Sequence, residues 1–301
     1  KWPTSAAIFR PEGRALIAGE RLRQTALADL LERLVTAESK SVGSRSEKLK
    51  AAHRAFYEGE VAETITKTVV SRGGFMTLKD LANFEAEIEV APSLMVKDWR
   101  FFATASWSQG PTALAILGIL SRSKFTWHNL AEAITLAFND REDFLAEPLL
   151  MKKPLEELLS DKHLDSLANL IGENAIAGRA SSSTVDSSLG STTAVVTMDS
   201  AGNTFSTSPS DTLDGGPIIS ELGIICSPRG VQSRLNDHHP NKLVPGGRPV
   251  VTPVALIGLN DEQSWALACP GGDVIVQAMA QVIWRVLNDG MELQEAVEAP
   301  R

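Results

Sequence analysis

Two adjacent hydroxyl residues, Thr192 and Thr193, stand at the head of a strand-like run ending at Met198, directly after a serine-rich stretch. A threonine so placed could become a new N-terminus if the chain cut itself. It would then hold nucleophile and base in one residue, the side-chain hydroxyl attacking while its own α-amine takes the proton. A cut one residue earlier would give the same work to Ser191. The ordinary alternative is a hydroxyl pair that simply opens a strand.

A second segment with chemical potential is Pro270-Gly271-Gly272-Asp273, between a strand-like run ending at Cys269 and a helical run from Val274. Consecutive glycines allow unusual dihedral angles and close approach of a ligand to the backbone. Amides at a helix N-terminus can hold the negative oxygen of a tetrahedral intermediate. The plainer reading is a tight strand-to-helix turn, with Asp273 as a capping charge. A third segment, 229–253, is a long Gly- and Pro-rich loop carrying Arg229, His238, His239 and Arg248. Long loops in compact domains are often functional. Arg229 and Arg248 could orient a substrate carboxylate or pair with acids on the loop. Adjacent histidines with Asp237 and no fourth ligand make a poor metal site, so solvated histidines on a turn are expected, with neither metal nor organic cofactor.

The remaining composition narrows the class. The chain has 301 residues, 43% hydrophobic and 22% charged, as a soluble globular protein does. A formal charge of −8 and a pI near 5.3 argue against nucleic-acid or membrane-surface binding, which needs concentrated positive charge. No apolar run is long enough to span a bilayer. Cys226 and Cys269 allow at most one disulfide and read as buried free thiols. No Gly-x-Gly-x-x-Gly or P-loop pattern supports a phosphate-binding role for the glycine pair. The compartment is not legible.

The elements that must position these residues follow from periodicity. Helices are expected at 22–37, 50–70, 78–84, 112–120 and 130–144, with Thr77 as an N-cap and helical pieces in 154–171. The charged run Asp140-Arg141-Glu142-Asp143 reads as a solvated face. Strands are expected at 85–90 and 94–104. After a loop at 179–191 come strands at 193–198, 204–207, 223–226, 250–258 and 264–269, a long helix at 274–287 and a closing helix at 293–299. Helices first and strands afterwards suggest a layered α+β domain.

Taken in order, these segments resemble the γ-glutamyltranspeptidase family. Its features are matched by Thr192-Thr193 with Val196, Asp199, Gly202 and Asn203; by Pro240-Asn241, Leu243 and Pro245-Gly246; by Pro270-Gly271-Gly272; and by Asp289-Gly290-Met291 through Pro300-Arg301. Upstream, the run Ala55 to Ala62, the run Gly73 to Leu81, Gln109-Gly110-Pro111, and Glu132-Ala133 to Asp140-Arg141 also agree, closest to the acylase-like and amidohydrolase-like branch. The resemblance implies a four-layer αββα sandwich of the N-terminal-nucleophile hydrolase type. It implies a precursor that cleaves itself into a large-subunit segment, 1–191, and a small-subunit segment, 192–301, which remain together as one structural domain. Thr192 would be the nucleophile, Thr193 its support, Gly271 and Gly272 the oxyanion hole, and Ser210 a second hydroxyl orienting the nucleophile. The family's substrate-gripping N-terminal arginine would lie upstream of this chain. A homo-oligomer is compatible with the resemblance.

Departures from the family pattern bear on substrate. Ala194 replaces the usual histidine. The segment whose acid grips a γ-glutamyl amino group reads Ser227 to Gln232 here, with Arg229 where charge matters and no acid. The serine pair before the central proline is reduced to Val251-Thr252. A site built to hold a charged group binds poorly once its partner is gone. The expectation is therefore an amide hydrolase or acyltransferase acting on a small amide or γ-glutamyl-type substrate, with Ser210, Arg229, Gln232 and Thr252 in the substrate-binding shell. Arg229 favours an acyl group that carries a carboxylate, and glutathione is the less expected substrate. A catalytically inactive relative that binds a ligand is the alternative.

Overall fold

The computed structural model describes residues 2–176, 192–211 and 216–301. The loop expected at 179–191, and with it Ser191, lies outside the described residues. In chain order the first elements are α1 (Pro3–Phe9), α2 (Thr25–Lys40), α3 (Arg45–Tyr57), α4 (Glu60–Val70), α5 (Leu78–Ala82), β1 (Ser93–Val96), β2 (Trp99–Ala103), α6 (Gly110–Ser121) and α7 (Trp127–Phe144). There follow α8 (Leu155–Leu158), α9 (Asp161–Ala168), β3 (Val195–Met198), β4 (Thr204–Thr207), β5 (Ile218–Ile219), β6 (Ile224–Ile225), β7 (Ala255–Leu259), β8 (Ser264–Ala268), α10 (Val274–Asp289) and α11 (Leu293–Glu298).

Two compact units result. The first is built from residues 2–88 and 216–228. Leu30 of α2, Val61 and Ile65 of α4, Ile219 of β5 and Leu222 share its buried core, with Phe56 and Met76 packed against them. One helix was expected over 50–70, but the chain makes two. Gly59 takes an extended conformation (φ −113°, ψ −155°) as the N-cap of α4, and glycine interrupts a helix at little steric cost. Ser44 with Glu47, and Thr77 with Asp80, form reciprocal capping boxes that start α3 and α5.

The second unit comprises 89–176, 192–211 and 229–301. Its antiparallel sheet has the order β1-β2-β7-β8. The strand expected over 94–104 is a hairpin instead, turned at Lys97, whose φ of 56° is left-handed. The run 85–90 forms no strand. Phe101 of β2 stands opposite Gly258 of β7, and a Cβ at 258 would lie 2.7 Å from its ring. The glycine therefore makes room for the aromatic ring.

Helix α6 is buried from Gly110 to Leu120, as a helix apolar all round must be. It touches α7, α9, α10, β1 and β2. The core of this unit joins those helices to the sheet through Val96, Phe101, Leu256, Ile275 and Ile283, among others. No residue of β3 or β4 belongs to that core, yet their hairpin contacts β7 and β8. Helices, four-stranded sheet and hairpin are thus successive layers. No helix among the described residues is long and apolar enough to cross a membrane. Cys226 and Cys269 are free thiols, only half-buried, and burial raises both above the ordinary thiol range.

Candidate active site

All the described residues singled out above as a candidate site fall in the second unit. The hairpin β3–β4 pairs Val195 with Thr207 and Met198 with Thr204. Beyond its regular part, an isolated antiparallel bridge joins Thr192 to Ser210. Strand side chains alternate between faces, and β4 uses one face to present hydroxyls to the sheet. Thr204 Oγ1 meets Ser264 Oγ at 3.0 Å, Ser206 Oγ donates to Leu267 O at 2.7 Å, and Ser208 Oγ donates to Val254 O at 2.6 Å. Ser210 is next in that period-two row. It holds Thr192 by a hydroxyl–hydroxyl contact of 2.8 Å between Oγ1 and Oγ. The partners of the row advance from 264 toward 267 along β8, so the Thr192 end of the hairpin lies toward the end of β8 that runs on into Pro270-Gly271-Gly272.

Arg229 closes over the same serine. Its Nε and Nη2 donate to Ser210 O at 3.0 and 2.9 Å, and Nη2 also donates to Ser210 Oγ. Burial lowers the guanidinium below its ordinary pKa, against the pull of Asp211. Three residues on, Gln232 Nε2 approaches Thr252 Oγ1 at 3.4 Å. Gln232 Oε1 is buried without a hydrogen-bond partner among the described residues, an unfavourable state for an amide acceptor. Thr193 is exposed; its backbone N–H donates to Pro209 O at 2.9 Å.

The Pro270-Gly271-Gly272 turn uses conformations that L-residues avoid. Gly271 has φ 137° and Gly272 φ 61°. Neither is a close-packing glycine: a Cβ at 272 meets nothing within 4 Å, and one at 271 meets only Val274 Cβ at 3.7 Å. Dihedral freedom is what these positions require. Asp273 occupies the N-cap of α10 but makes no side-chain capping bond. Its carboxylate instead accepts from Arg141 Nη1 at 2.7 Å and Gln109 Nε2 at 3.0 Å, which answers the capping alternative.

The charged run 140–143 is not a solvated face. Arg141 is 6% exposed, and it lies in helical phase with the buried Leu130, Ala133 and Ala137 of α7. Its Nε and Nη2 reach Glu142 Oε1 at 3.0 and 2.9 Å. Glu142 also receives Arg234 and His239. Burial pushes against the Glu142 carboxylate, but Arg141 and Arg234 outweigh it and hold the group below the ordinary glutamate range. Asp140 is raised by burial, although His163 Nε2 lies 2.6 Å away. Of the two histidines expected in solvent, only His238 is exposed; His239 packs between Glu142 and Asn241 N–H. Arg248 pairs with Glu147 and Glu89, acids that come from outside its loop rather than from the loop itself as expected. Among the described residues, no group of three or more His, Cys, Asp or Glu side chains could hold a metal.

The structure therefore joins Thr192, Ser210 and Arg229 in one cluster, and Gln232 with Thr252 in another. Gln109 links Thr252 O, at 3.3 Å, to Asp273 beside the glycines. Sequence reasoning assigned Gln109, Arg141, Glu142 and Asp273 no part in the site. The phase of Arg141 on the apolar stripe of α7 was the available signal.

A helix layer on a sheet, with a second strand layer behind it and a hydroxyl pair at the head of that layer, is an α+β arrangement that supplies three of the four layers expected of an N-terminal-nucleophile hydrolase. The chain belongs to the gamma-glutamyltranspeptidase family, whose model matches residues 1–301. It is 30% identical to the glutathione hydrolase-like YwrD proenzyme of Bacillus subtilis, over 99% of this chain and 56% of that protein. It is 29% identical to the oxamate amidohydrolase proenzyme of Klebsiella pneumoniae, over 96% and 53%. Among solved structures, the cephalosporin acylase from Bacillus halodurans superimposes with a TM-score of 0.82 at 28% identity, covering 100% of this chain and 55% of that one. The chain thus spans about half the length of the relatives it matches.

Proposed function

We propose that the protein is a self-processed amide hydrolase or acyltransferase with Thr192 as nucleophile. In processing, Thr192 Oγ1 attacks the carbonyl carbon of residue 191, the peptide C–N bond breaks as an ester forms, and water hydrolyses the ester. That leaves a large segment, 1–191, and a small segment, 192–301, held together. The freed α-amine then takes the proton from Oγ1 as the oxygen attacks a substrate amide. The Gly271 and Gly272 amides hold the oxyanion. The C–N bond breaks, the leaving amine takes the proton back, and an acyl-threonine remains. Water, or an acceptor amine, then releases the acyl group.

The observation that supports this reading most is the 2.8 Å contact between Thr192 Oγ1 and Ser210 Oγ, which fixes the nucleophile's rotamer from a neighbouring strand. Proenzyme relatives named as hydrolases, an amidohydrolase and acylases agree with it.

For substrate, Arg229 is the deciding residue. It places a cation one residue from the nucleophile through Ser210, and a guanidinium favours a carboxylate on the acyl group. A short dicarboxylic monoamide fits that demand, and the amidohydrolase relative is named for oxamate, such a compound. The buried acceptor Gln232 Oε1 suits a substrate N–H. Thr252 lines the same region, and Thr193 supports its neighbour through the backbone.

Mass spectrometry of the small fragment tests the chemistry: its N-terminus should be Thr192, and Thr192→Ala should remain uncut and inactive. Processing of Thr192→Ala, or an N-terminus at another residue, refutes the assignment. Oxamate and succinamate should be turned over faster than a γ-glutamyl anilide; equal or better turnover of the anilide removes the role given to Arg229.

A further inference from the structure

Arg141 is a buried cation, and its guanidinium is held by directional contacts. Nη1 donates to Asp273 Oδ1 at 2.7 Å and to Gln109 Oε1 at 3.0 Å. Nε and Nη2 take Glu142 at 3.0 and 2.9 Å, and the guanidinium lies 4.3 Å from the centroid of the Phe138 ring. Gln109, only 1% exposed, closes a triangle by donating Nε2 to the same Asp273 oxygen. A desolvated charge needs such partners to be tolerated, so the arrangement has one geometry in which all three groups are satisfied. Asp273 directly follows the two glycines whose dihedral angles the turn depends on. Its own backbone carbonyl is further held by Gln277 Nε2 at 2.9 Å. The other end of the network reaches the loop that carries Arg229 and Gln232, because Glu142 binds Arg234 and His239 of that loop.

We propose that Arg141 is a positioning residue: by seating the Asp273 carboxylate against Gln109 it fixes the orientation of the Gly271–Gly272 amides, and it needs no contact with substrate to do so. This rests on the reading of those amides as oxyanion donors. Oriented donors act without reorganising during the reaction, and a small displacement of them lowers turnover more than binding. The cation's role is geometric, so a lysine, which lacks the planar fork, restores charge but not the two-partner contact.

The test uses the full-length processed enzyme bearing Arg141→Met, Arg141→Lys, Asp273→Asn, or Met and Asn together, with Gly271→Ala as a reference. Thermal unfolding is followed for each, and kinetics are read well below each midpoint. Arg141→Met and Asp273→Asn should each lower kcat about ten- to hundredfold with KM changed about twofold or less. The pair together should be no worse than either alone, and Arg141→Lys should recover only part of kcat. Unchanged kcat in folded Arg141→Met or Asp273→Asn, or losses that multiply in the pair, overturns the proposal. Should Arg141→Met not fold, the isosteric and partly exposed Asp273→Asn decides by the same readout. Should Gly271→Ala itself keep full kcat, the oxyanion assignment fails, and that result is distinct from failure of the positioning role.

Discussion

Substituting the two glycines of the turn separates catalysis from folding, because their geometry makes different demands. Neither position lacks room for a methyl group: nothing lies within 4 Å of a Cβ at 272, and 3.7 Å separates one at 271 from Val274. The penalty is therefore conformational. Gly272, at φ 61°, occupies the left-handed well that an alanine enters at about 1–2 kcal/mol. Gly271, at φ 137°, sits where only glycine is comfortable, and an alanine held there costs about 1–3 kcal/mol. Both are small beside the roughly 5–15 kcal/mol that holds a domain folded, so each variant should fold and melt a few degrees lower. Gly272→Ala can keep its φ and its amide direction, and its kcat should fall about tenfold or less. Gly271→Ala relieves its strain by rotating the peptide that carries the Gly272 N–H, and its kcat should fall toward the roughly 100- to 1000-fold loss of a missing oxyanion donor. The assay pairs steady-state kinetics of the processed protein with thermal melts. Lowered midpoints with kcat near the parent value in both variants would show that the turn only redirects the chain.

Other consequences are equally direct. Ser210→Ala removes the partner of Thr192 Oγ1 at 2.8 Å, and about 0.5–1.5 kcal/mol for one hydrogen bond implies roughly a two- to tenfold slower acylation in single-turnover kinetics. Arg229→Gln should lower kcat/KM for oxamate by about tenfold or more while sparing an uncharged amide; equal losses on both would assign the residue to structure alone. Gly223→Ala, at φ 69° with its Cβ 2.4 Å from Leu27 N, should destabilise the first unit by about 2–4 kcal/mol, read as a loss in chemical denaturation. The Arg248 guanidinium, through its hydrogen bonds, holds Glu147 below the ordinary glutamate range, and Glu142 is also depressed. A depressed carboxylate stabilises above the unfolded value of about 4.3 and loses that contribution as pH falls through the folded one. Melting temperature should therefore drop with acidification below pH of about 4.3, and Glu147→Gln should flatten the drop; an unaltered acid slope would remove this pair from the account.

Much of the fold is written in local pattern. The apolar period of α2, α7 and α10, the capping threonine at 77 and the strands β3, β4 and β8 follow from side-chain spacing that local sequence carries, whereas β5 at Ile218–Ile219 was not expected and β7 begins at Ala255 rather than at 250. The breaks were harder. Gly59 divides a continuous apolar stripe, and Lys97 turns a run of β-formers through a left-handed conformation that its residue type does not announce. The candidate site was legible where residue type itself carries chemistry, as at Thr192, Arg229 and the glycine pair. It was hidden where chemistry depends on which way a helix faces. Arg141 sits in a string of charges that reads as surface, and only its phase with Ala133 and Ala137 sets it inward. The carboxylate of Asp273 looked like a cap because its tertiary partner lies 132 positions away in sequence.

The pairing of β2 with β7, Arg100 through Ala103 against Leu256 through Leu259, spans position 192, and the first unit likewise draws on residues from both sides of it. Scission there would turn one chain's folding problem into an encounter between two molecules. Recovery from denaturant would become second order, faster when the fragments are concentrated and vanishing on dilution, while the uncut Thr192→Ala chain would refold at a rate indifferent to concentration. The order of events would then be fixed: the polypeptide assembles first and is severed afterwards.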